Sequence, residues 1–274
     1  MTTVGEAIRA AAEHLAPVSD TARLDAELLM AHLFGGTRSE LLLRHMRDPA
    51  PPGYPALVER RAGHEPVAYI TGRQEFYGLP FIVTPATLIP RGDSETLVAA
   101  ALEAKPDAAR VLDLGTGSGA LLLAVLAYLR QAQGVGIDRS PEAVVVAARN
   151  AEQLGLRPQA TFREGDWHAA GWADDLGTFD LVLCNPPYVE AGALLDPQVR
   201  DHEPATALFA GPEGLDDYRV LIPQLRALMN RRALAVLEIG ANQAEAVGAL
   251  AQAAGFAAAL RRDLAGRARA LLLR

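Results

Sequence analysis

From Asp93 to the end of the chain, short apolar segments typical of β-strands alternate with longer segments of helical periodicity. This alternation is the pattern of a parallel sheet that carries helices on both of its faces. The predicted strands are residues 110–114, 134–138, 160–164, 179–184, 233–239, 257–261 and 268–273, and the predicted helices are residues 120–131, 141–154, 218–229 and 243–253. We therefore predict an α/β fold, built on a Rossmann-like sheet of these seven strands.

The first part of the chain has a purely helical pattern. Apolar residues such as Ile8 and Leu15, and later Leu24 and Leu28, recur at intervals that place them on one face of a helix. The glycine pair at residues 35–36 is a typical helix stop. These features predict a small helical domain ahead of the sheet.

The change of pattern divides the chain into three segments. Residues 1–72 form the predicted helical N-terminal domain, and residues 93–274 form the predicted α/β domain. Between them, residues 73–92 are a connector that contains a predicted β-hairpin, with strands at 74–77 and 80–83.

Composition excludes several classes of protein. The 274 residues are 50% hydrophobic, enough for a full-sized core, but no apolar run approaches the roughly 20 uncharged residues that a bilayer span needs. The net charge of −7 gives no general attraction to phosphates, so we expect no direct nucleic acid partner. The first fifteen residues include Glu6, Arg9 and Glu13 and lack the pattern of a signal peptide, which predicts a cytoplasmic protein.

Cysteine and histidine content points away from thiol and metal chemistry. Cys184 is the one cysteine, so no internal disulfide forms, and its place in a predicted strand indicates core packing. The six histidines are scattered without the spacing of a metal site or of a catalytic triad, and we predict no metal ligands.

A glycine-rich turn joins the first predicted strand of the α/β domain to the first predicted helix. It comprises Gly115, Thr116, Gly117, Ser118 and Gly119. Glycines allow positive φ and let a ligand lie against the backbone, while the helix start exposes unpaired N–H groups. The turn therefore predicts a cofactor site. Its spacing alone fits both NAD and S-adenosylmethionine.

Three further side chains, Asp113, Asp166 and Trp167, favour the second of these cofactors, and Asp138 suits both. Asp138 ends the second strand, where a carboxylate accepts hydrogen bonds from ribose hydroxyls in either case. Asp113, just before the glycines, suits the methionyl ammonium of S-adenosylmethionine but would repel a pyrophosphate. Asp166 and Trp167 follow the third strand, where they could bind the adenine amino group and cover the ring face.

The most specific motif is the turn Asn185, Pro186, Pro187 and Tyr188 at the end of the fourth strand. The side-chain oxygen of Asn185 and a proline carbonyl can both accept hydrogens from a planar NH₂ group and hold it still. Because the carboxyl ends of parallel strands meet at one edge, this turn is expected beside the cofactor. The pattern indicates methylation of an amide or of an exocyclic amine.

Taken together, the motifs resemble those of the peptide chain release factor glutamine methyltransferases. The resemblance covers nearly the whole chain and rests on residues 72–78, 87–95, 113–119, 165–167, 185–188, 202–204, 214–215 and 237–240. Two positions depart from the family pattern. Gly92 stands where the family usually has proline, and Ala268 stands where it often has an acidic residue.

This resemblance implies a class I methyltransferase domain with a small helical N-terminal domain, joined by a β-hairpin. The implied donor is S-adenosylmethionine, and the implied acceptor and partner is the Gly-Gly-Gln glutamine of peptide chain release factors. Asn185 and the Pro186 carbonyl would hold the glutamine amide, and Tyr188 would wall its side chain. Arg91 could close over the cofactor.

Three other functions remain open at this stage. An adenine N6 methyltransferase would use the same Asn-Pro-Pro-Tyr turn on a flipped base, although the chain has no basic stripe and no spare recognition domain. A ribosomal protein glutamine methyltransferase is closer, but residues 90–95 resemble the release factor branch better. A cofactor-binding module without activity is disfavoured by the presence of Asp113, Asp138 and Asn185.

Overall fold

The computed structural model describes residues 2–274. They form two compact units. The first contains the chain up to Arg73 together with Leu195–His202, and the second contains Gln74–Leu194 and Glu203–Arg274. None of the helices among these residues combines the length and the apolar character that crossing a membrane requires.

The first unit is helical. Its helices are α1 (Val4–Leu15), α2 (Ala22–Phe34), α3 (Arg38–Glu40), which runs into a π-helical segment (Leu41–His45), α4 (Tyr54–Ala62) and α5 (Val67–Thr71). Thr3 and Glu6 form a capping box at the start of α1, and Gly35 ends α2 in the left-handed conformation. The apolar face of α1, with Ile8 and Leu15 fully buried, packs into the core of this unit. The predicted helical pattern is confirmed.

A two-stranded sheet of β1 (Arg73–Phe76) and β2 (Leu79–Ile82) follows. Both strands begin one residue earlier than predicted. The turn is formed by Tyr77 and Gly78, with φ values of 52° and 74°, so Leu79 already belongs to the second strand. The prediction wrongly placed the turn at Gly78 and Leu79. Glycine can occupy either position of a two-residue turn, and here it occupies the second.

The second unit is built around a seven-stranded sheet. Its strands are β3 (Arg110–Leu114), β4 (Gln133–Asp138), β5 (Ala160–Glu164), β6 (Phe179–Cys184), β7 (Met229–Glu238), β8 (Ala258–Arg262) and β9 (Ala268–Leu273). They lie in the order β5-β4-β3-β6-β7-β9-β8, and all neighbours are parallel except the pairs that involve β9. The predicted Rossmann-like methyltransferase sheet is confirmed.

The main helices of this unit are α6 (Glu95–Ala104), α7 (Ala120–Tyr128), α8 (Pro141–Gln153), α10 (Asp216–Leu228) and α11 (Ala244–Ala253). The short helix α9 (Pro197–Arg200) belongs to the first unit. Several predicted boundaries were wrong, by up to four residues at the start of β7. The helix predicted to reach residue 131 ends at Tyr128, and Met229 has extended backbone (φ −106°, ψ 132°) and opens β7 instead of closing a helix. The sequence analysis did not predict α6.

Side chains of the central strands alternate between two apolar clusters, one on each face of the sheet. In β6, Leu181 and Leu183 belong to one cluster, while Val182 and Cys184 belong to the other. All four are fully buried, including the one cysteine, whose predicted role in core packing is confirmed. A sheet buried on both faces holds its strand ends in fixed positions, which is what a site at those ends requires.

Candidate active site

A cavity of about 1080 Å³ opens at the carboxyl ends of the parallel strands, within the second unit. Its lining residues come mainly from the segments that follow β3, β4, β5 and β6. In the sheet, β4 lies on one side of β3 and β6 lies on the other, so the strand order changes direction between β3 and β6. Ligands of doubly wound sheets bind at such a switch point.

The glycine turn after β3 forms one wall of this cavity. Gly115, Thr116, Gly117 and Ser118 line it, and Gly119 lies behind them at the start of α7. The amides of Gly115 and Thr116 both donate to the Ile137 carbonyl at 2.9 Å, which fastens the turn to the end of β4. Gly115 has φ of 71°, and a Cβ there would lie 3.3 Å from the Trp167 ring. Only glycine therefore fits this position without strain.

Asp138 lies on the cavity at the end of β4, as predicted from its place in the sequence. Its carboxylate accepts from the Gly117 amide at 2.8 Å and from the Ser140 amide at 2.9 Å. Burial raises the pKa of Asp138 above its ordinary value, against the lowering effect of these two hydrogen bonds. The carboxylate thus orders the glycine turn and faces the cavity at the same time.

Asp113 does not line the cavity. Its side chain is 1% exposed, and its Oδ2 accepts the Thr116 hydroxyl at 2.7 Å. Its Oδ1 has no hydrogen-bond partner among the described residues. Because burial disfavours the charged form, the pKa of Asp113 is raised to about 7. An unpaired carboxylate oxygen therefore lies next to the turn that lines the cavity, and a cationic ligand group would satisfy it.

The segment after β5 brings Asp166 and Trp167 to the cavity. The Trp167 indole N–H donates to Asp217 Oδ1 at 2.9 Å, and His168 Nε2 lies 3.0 Å from the same oxygen. Asp217, on α10, is buried and fixes the orientation of the indole ring. Asp217 was not predicted, because no motif marks an acidic residue in the first turn of a distant helix as a partner of Trp167.

The Asn-Pro-Pro-Tyr turn reaches the cavity with only part of its length. Asn185 and Pro187 line it, whereas Pro186 is buried outside the lining. The Tyr188 side chain also lies outside the lining. Its hydroxyl donates to Glu238 Oε1 at 3.2 Å, and burial raises the pKa of Tyr188 above its ordinary value. The structure therefore brings Asn185 and Pro187, but not Tyr188, to the cavity surface.

No hydrogen bond from another described residue reaches the Asn185 side chain. This side chain is only partly buried, and it lines the cavity. Both its oxygen and its nitrogen are available to a ligand in the cavity.

The connector between the hairpin and α6 supplies a further wall, with Ala86, Thr87, Leu88, Pro90 and Arg91, and Pro204, Thr206 and Ala207 also line the cavity. Of the five connector residues only Arg91 was predicted as a possible cofactor contact, although all of them except Ala86 belong to the motif at residues 87–95. The Arg91 guanidinium forms an ion pair with the buried carboxylate of Glu203. Glu203 also accepts from the Ile89 amide at 3.2 Å, so one carboxylate holds the connector at two points. Within residues 2–274 no cluster of three His, Cys, Asp or Glu side chains is arranged to bind a metal.

Two family models match the chain. A methyltransferase domain matches residues 105–228, and a PrmC N-terminal domain matches residues 6–72. The first of these matches includes most of the segments that form the cavity.

Curated relatives match over most of their own length. A release factor glutamine methyltransferase of Geobacter sulfurreducens is 41% identical over 86% of this chain and 84% of its own. Another, of Cereibacter sphaeroides, is 42% identical over 96% of this chain and 95% of its own. Among solved structures, the catalytic domain of hMettl16 in complex with a MAT2A 3′UTR hairpin has a TM-score of 0.59 at 16% identity, covering 78% of this chain and 81% of its own. At that identity the likeness extends to the fold alone.

Proposed function

The chain belongs to the family of release factor glutamine methyltransferases, and we propose that it methylates the side-chain amide nitrogen of the glutamine in the Gly-Gly-Gln motif of peptide chain release factors. The proposed methyl donor is S-adenosylmethionine, which supplies an electrophilic methyl group. We place this activity in the cytoplasm, where release factors act.

The residues of the cavity fit this cofactor. The glycine turn offers bare backbone to it, and Asp138 would accept hydrogen bonds from its ribose hydroxyls. Trp167, held by Asp217, would cover its adenine ring, while Asp166 would accept from the adenine amino group. The unpaired Oδ1 of Asp113 is the oxygen we assign to the methionyl ammonium.

The acceptor presents a chemical difficulty, because an amide nitrogen shares its lone pair with the carbonyl group and is a poor nucleophile. Positioning must therefore supply most of the rate. We propose that Asn185 Oδ1 and the Pro186 carbonyl accept the two N–H groups of the substrate amide and aim its nitrogen at the donor. No described residue donates to the Pro186 carbonyl, so no protein group competes for this acceptor.

The same two acceptors would stabilise positive charge as it develops on the nitrogen. The methylated nitrogen is then strongly acidic and can lose its proton to water, so no dedicated base is required. We assign Pro187 and Tyr188 to the wall around the glutamine side chain. Pro187 lines the cavity, and Tyr188 would support the turn through its hydrogen bond to Glu238.

One observation carries this proposal more than any other. Asn185 has an unpaired side-chain amide on the same cavity as the glycine turn and Asp138. We therefore take the Asn185 oxygen as one of the two acceptors that a planar NH₂ group requires, next to groups suited to the methyl donor.

Recognition of the folded partner is a separate task. We assign it to the predicted helical N-terminal domain, residues 1–72, since a minimal methyltransferase fold lacks this domain and has no need of it for the chemistry. On this proposal, contacts outside the Gly-Gly-Gln loop contribute to catalysis by positioning the glutamine.

The test uses labelled S-adenosylmethionine with three acceptors: an unmodified release factor, its Gly-Gly-Gln loop as a free peptide, and duplex DNA. We expect strong labelling of the intact factor at one glutamine, weak labelling of the peptide, and none of the DNA. Label on adenine without label on the factor would reassign the enzyme to nucleic acid. Equal labelling of peptide and factor would remove the docking role from residues 1–72 and leave the reaction type in place.

A further inference from the structure

The Asn-Pro-Pro-Tyr turn cannot be held by its own central amides. Pro186 and Pro187 have no N–H groups, so neither can donate a hydrogen bond to a neighbouring segment. Before the turn, the β6 ladder ends with the pairing of Cys184 and Leu237. The position of Asn185 therefore depends on what holds the chain just after the prolines.

Gln243 provides this hold. Its Nε2 donates to the Tyr188 carbonyl at 3.0 Å and to the Gly214 carbonyl at 3.1 Å, and its Oε1 accepts from the Gly240 amide at 2.9 Å. One side-chain amide thus uses both of its donor hydrogens and its acceptor on three separate backbone segments. These segments are the Asn-Pro-Pro-Tyr turn, the loop before α10 and the loop after β7.

The packing at Gly214 shows how closely these segments approach. A Cβ on Gly214 would lie 2.2 Å from the Tyr188 carbonyl oxygen and 2.9 Å from Gln243 Nε2. Real Cβ atoms do not approach a carbonyl oxygen so closely, and Gly214 also has φ of 66°. The junction is therefore assembled around the Gln243 amide with no room for a side chain.

We propose that Gln243 is a positioning residue for Asn185. It lies outside the cavity lining. Gln243 acts through its hydrogen bond to the Tyr188 carbonyl. This bond fixes the end of the turn, and the two rigid prolines then fix the orientation of the Asn185 side chain. This role rests on the proposed function, because that orientation matters for transfer of a methyl group to an amide held by Asn185.

The chain offers a matched control in Gln224, a half-buried glutamine on α10. Its Nε2 donates to the Trp167 carbonyl at 3.0 Å, and its Oε1 accepts from the Trp172 indole at 2.7 Å. Gln224 thus holds the segment after β5 in the way that Gln243 holds the segment after β6. One glutamine supports the proposed adenine side of the cavity and the other supports the proposed acceptor side.

The experiment compares Gln243→Met with Gln224→Met in the full-length protein. Methionine has a similar length but neither donates nor accepts as an amide does. For Gln243→Met we expect kcat on an unmodified release factor to fall by about ten- to a hundredfold, while the Kd of S-adenosylhomocysteine changes less than about twofold. For Gln224→Met we expect the opposite result. S-adenosylhomocysteine should bind more weakly, while kcat at saturating donor should stay within about threefold of the parent value.

A second measurement requires no acceptor. Hydrogen exchange of the peptide spanning residues 188–193 reports on the amides of Val189 and Ala191, which donate to Leu208 at 2.8 Å and to Gly211 at 2.9 Å. Gln243→Met should accelerate this exchange about tenfold or more, and Gln224→Met should leave it unchanged. Gln243→Glu, which keeps the acceptor for Gly240 but loses the donors, should behave in the same way as Gln243→Met and replaces it if that variant fails to fold.

Unchanged exchange in this peptide would overturn the proposal, and so would a kcat within about threefold of the parent. If the parent protein itself fails to label a release factor, the proposed function is at fault. The exchange comparison then still decides whether Gln243 holds the turn.

Discussion

The side-chain nitrogen of Asn150 donates to the carbonyl oxygen of Ser118 at 2.8 Å, which ties α8 to the glycine turn of the cavity. The same nitrogen donates to the Ile82 carbonyl at 2.9 Å, and Asn150 Oδ1 accepts from the Ile82 amide at 2.7 Å. Asn150 thus pairs with β2 as a neighbouring strand would. A fully buried amide therefore holds the glycine turn and the hairpin together.

Asn150→Ala should lower the free energy of unfolding by roughly 2 to 4 kcal/mol, because it leaves the partly buried backbone groups of Ile82 and the buried carbonyl of Ser118 without partners. Gln153, one turn further along α8, is the control. It is exposed and donates to the Pro80 carbonyl at 2.8 Å without reaching the glycine turn. Gln153→Ala should lower the free energy of unfolding by less than about 1 kcal/mol. Urea titration of both variants measures the difference, and equal losses would contradict the bridging role of Asn150.

Asp138→Ala should weaken the binding of S-adenosylmethionine by roughly 2 to 3 kcal/mol, since it removes charge-assisted hydrogen bonds to ribose. It also removes the acceptor of the Gly117 and Ser140 amides, so Asp138→Asn is the better-matched variant: its side-chain oxygen can still accept one of them. Titration calorimetry on both measures the loss. A folded Asp138→Ala variant with parental affinity would mean that this carboxylate does not contact the cofactor.

Much of the fold could be predicted because its signals are local. The bounds of β3, β5, β6 and β9 agree with the predicted strands. Each is a short segment between polar residues or turn residues, and β3, β6 and β9 are largely apolar. The missed helix α6 begins directly after a short 3₁₀ turn at Gly92–Ser94 and has a run of alanines without a clear polar face. Its periodicity is weak, so only packing against the sheet defines it.

The site was partly predictable for the same reason. Strand-end motifs identified Asp138, Trp167 and Asn185, and all three line the cavity. The residues that hold them could not be predicted. Asp217 and Gln243 act across separations of about 50 residues, and such pairings are visible only after the chain has folded. Tyr188 lies outside the cavity lining, where its hydroxyl donates to Glu238, and this pairing with another strand could not be predicted from the sequence either.

Asn185→Ala should reduce turnover on a release factor roughly a hundredfold or more and leave the affinity for S-adenosylhomocysteine within about threefold. The variant loses an acceptor for the substrate amide, and no described residue loses a hydrogen bond with it. Its thermal stability should therefore stay close to that of the parent. Turnover within about threefold of the parent would make Asn185 a structural turn residue and would refute the mechanism.

The raised pKa of Asp113, about 7 in the structure without ligand, predicts that cofactor binding depends on pH. An ammonium group pairs with the carboxylate and not with the carboxylic acid. Below the pKa, Asp113 must first lose its proton, so the affinity falls as the pH decreases. Between pH 7.5 and pH 6.0 we expect the Kd of S-adenosylhomocysteine to rise roughly tenfold, with release of nearly one proton per ligand bound at the lower pH.

Calorimetry in two buffers of different ionisation enthalpy measures this proton release directly. The control is Asp113→Asn, which retains a partner for the Thr116 hydroxyl but cannot ionise. This variant should bind more weakly and with little dependence on pH over the same range. Asp138 also has a raised pKa and lies on the cavity, so it is the other group that could titrate. If Asp113→Asn keeps the parental pH dependence, the titrating group is Asp138, and Asp113 does not bind the ammonium.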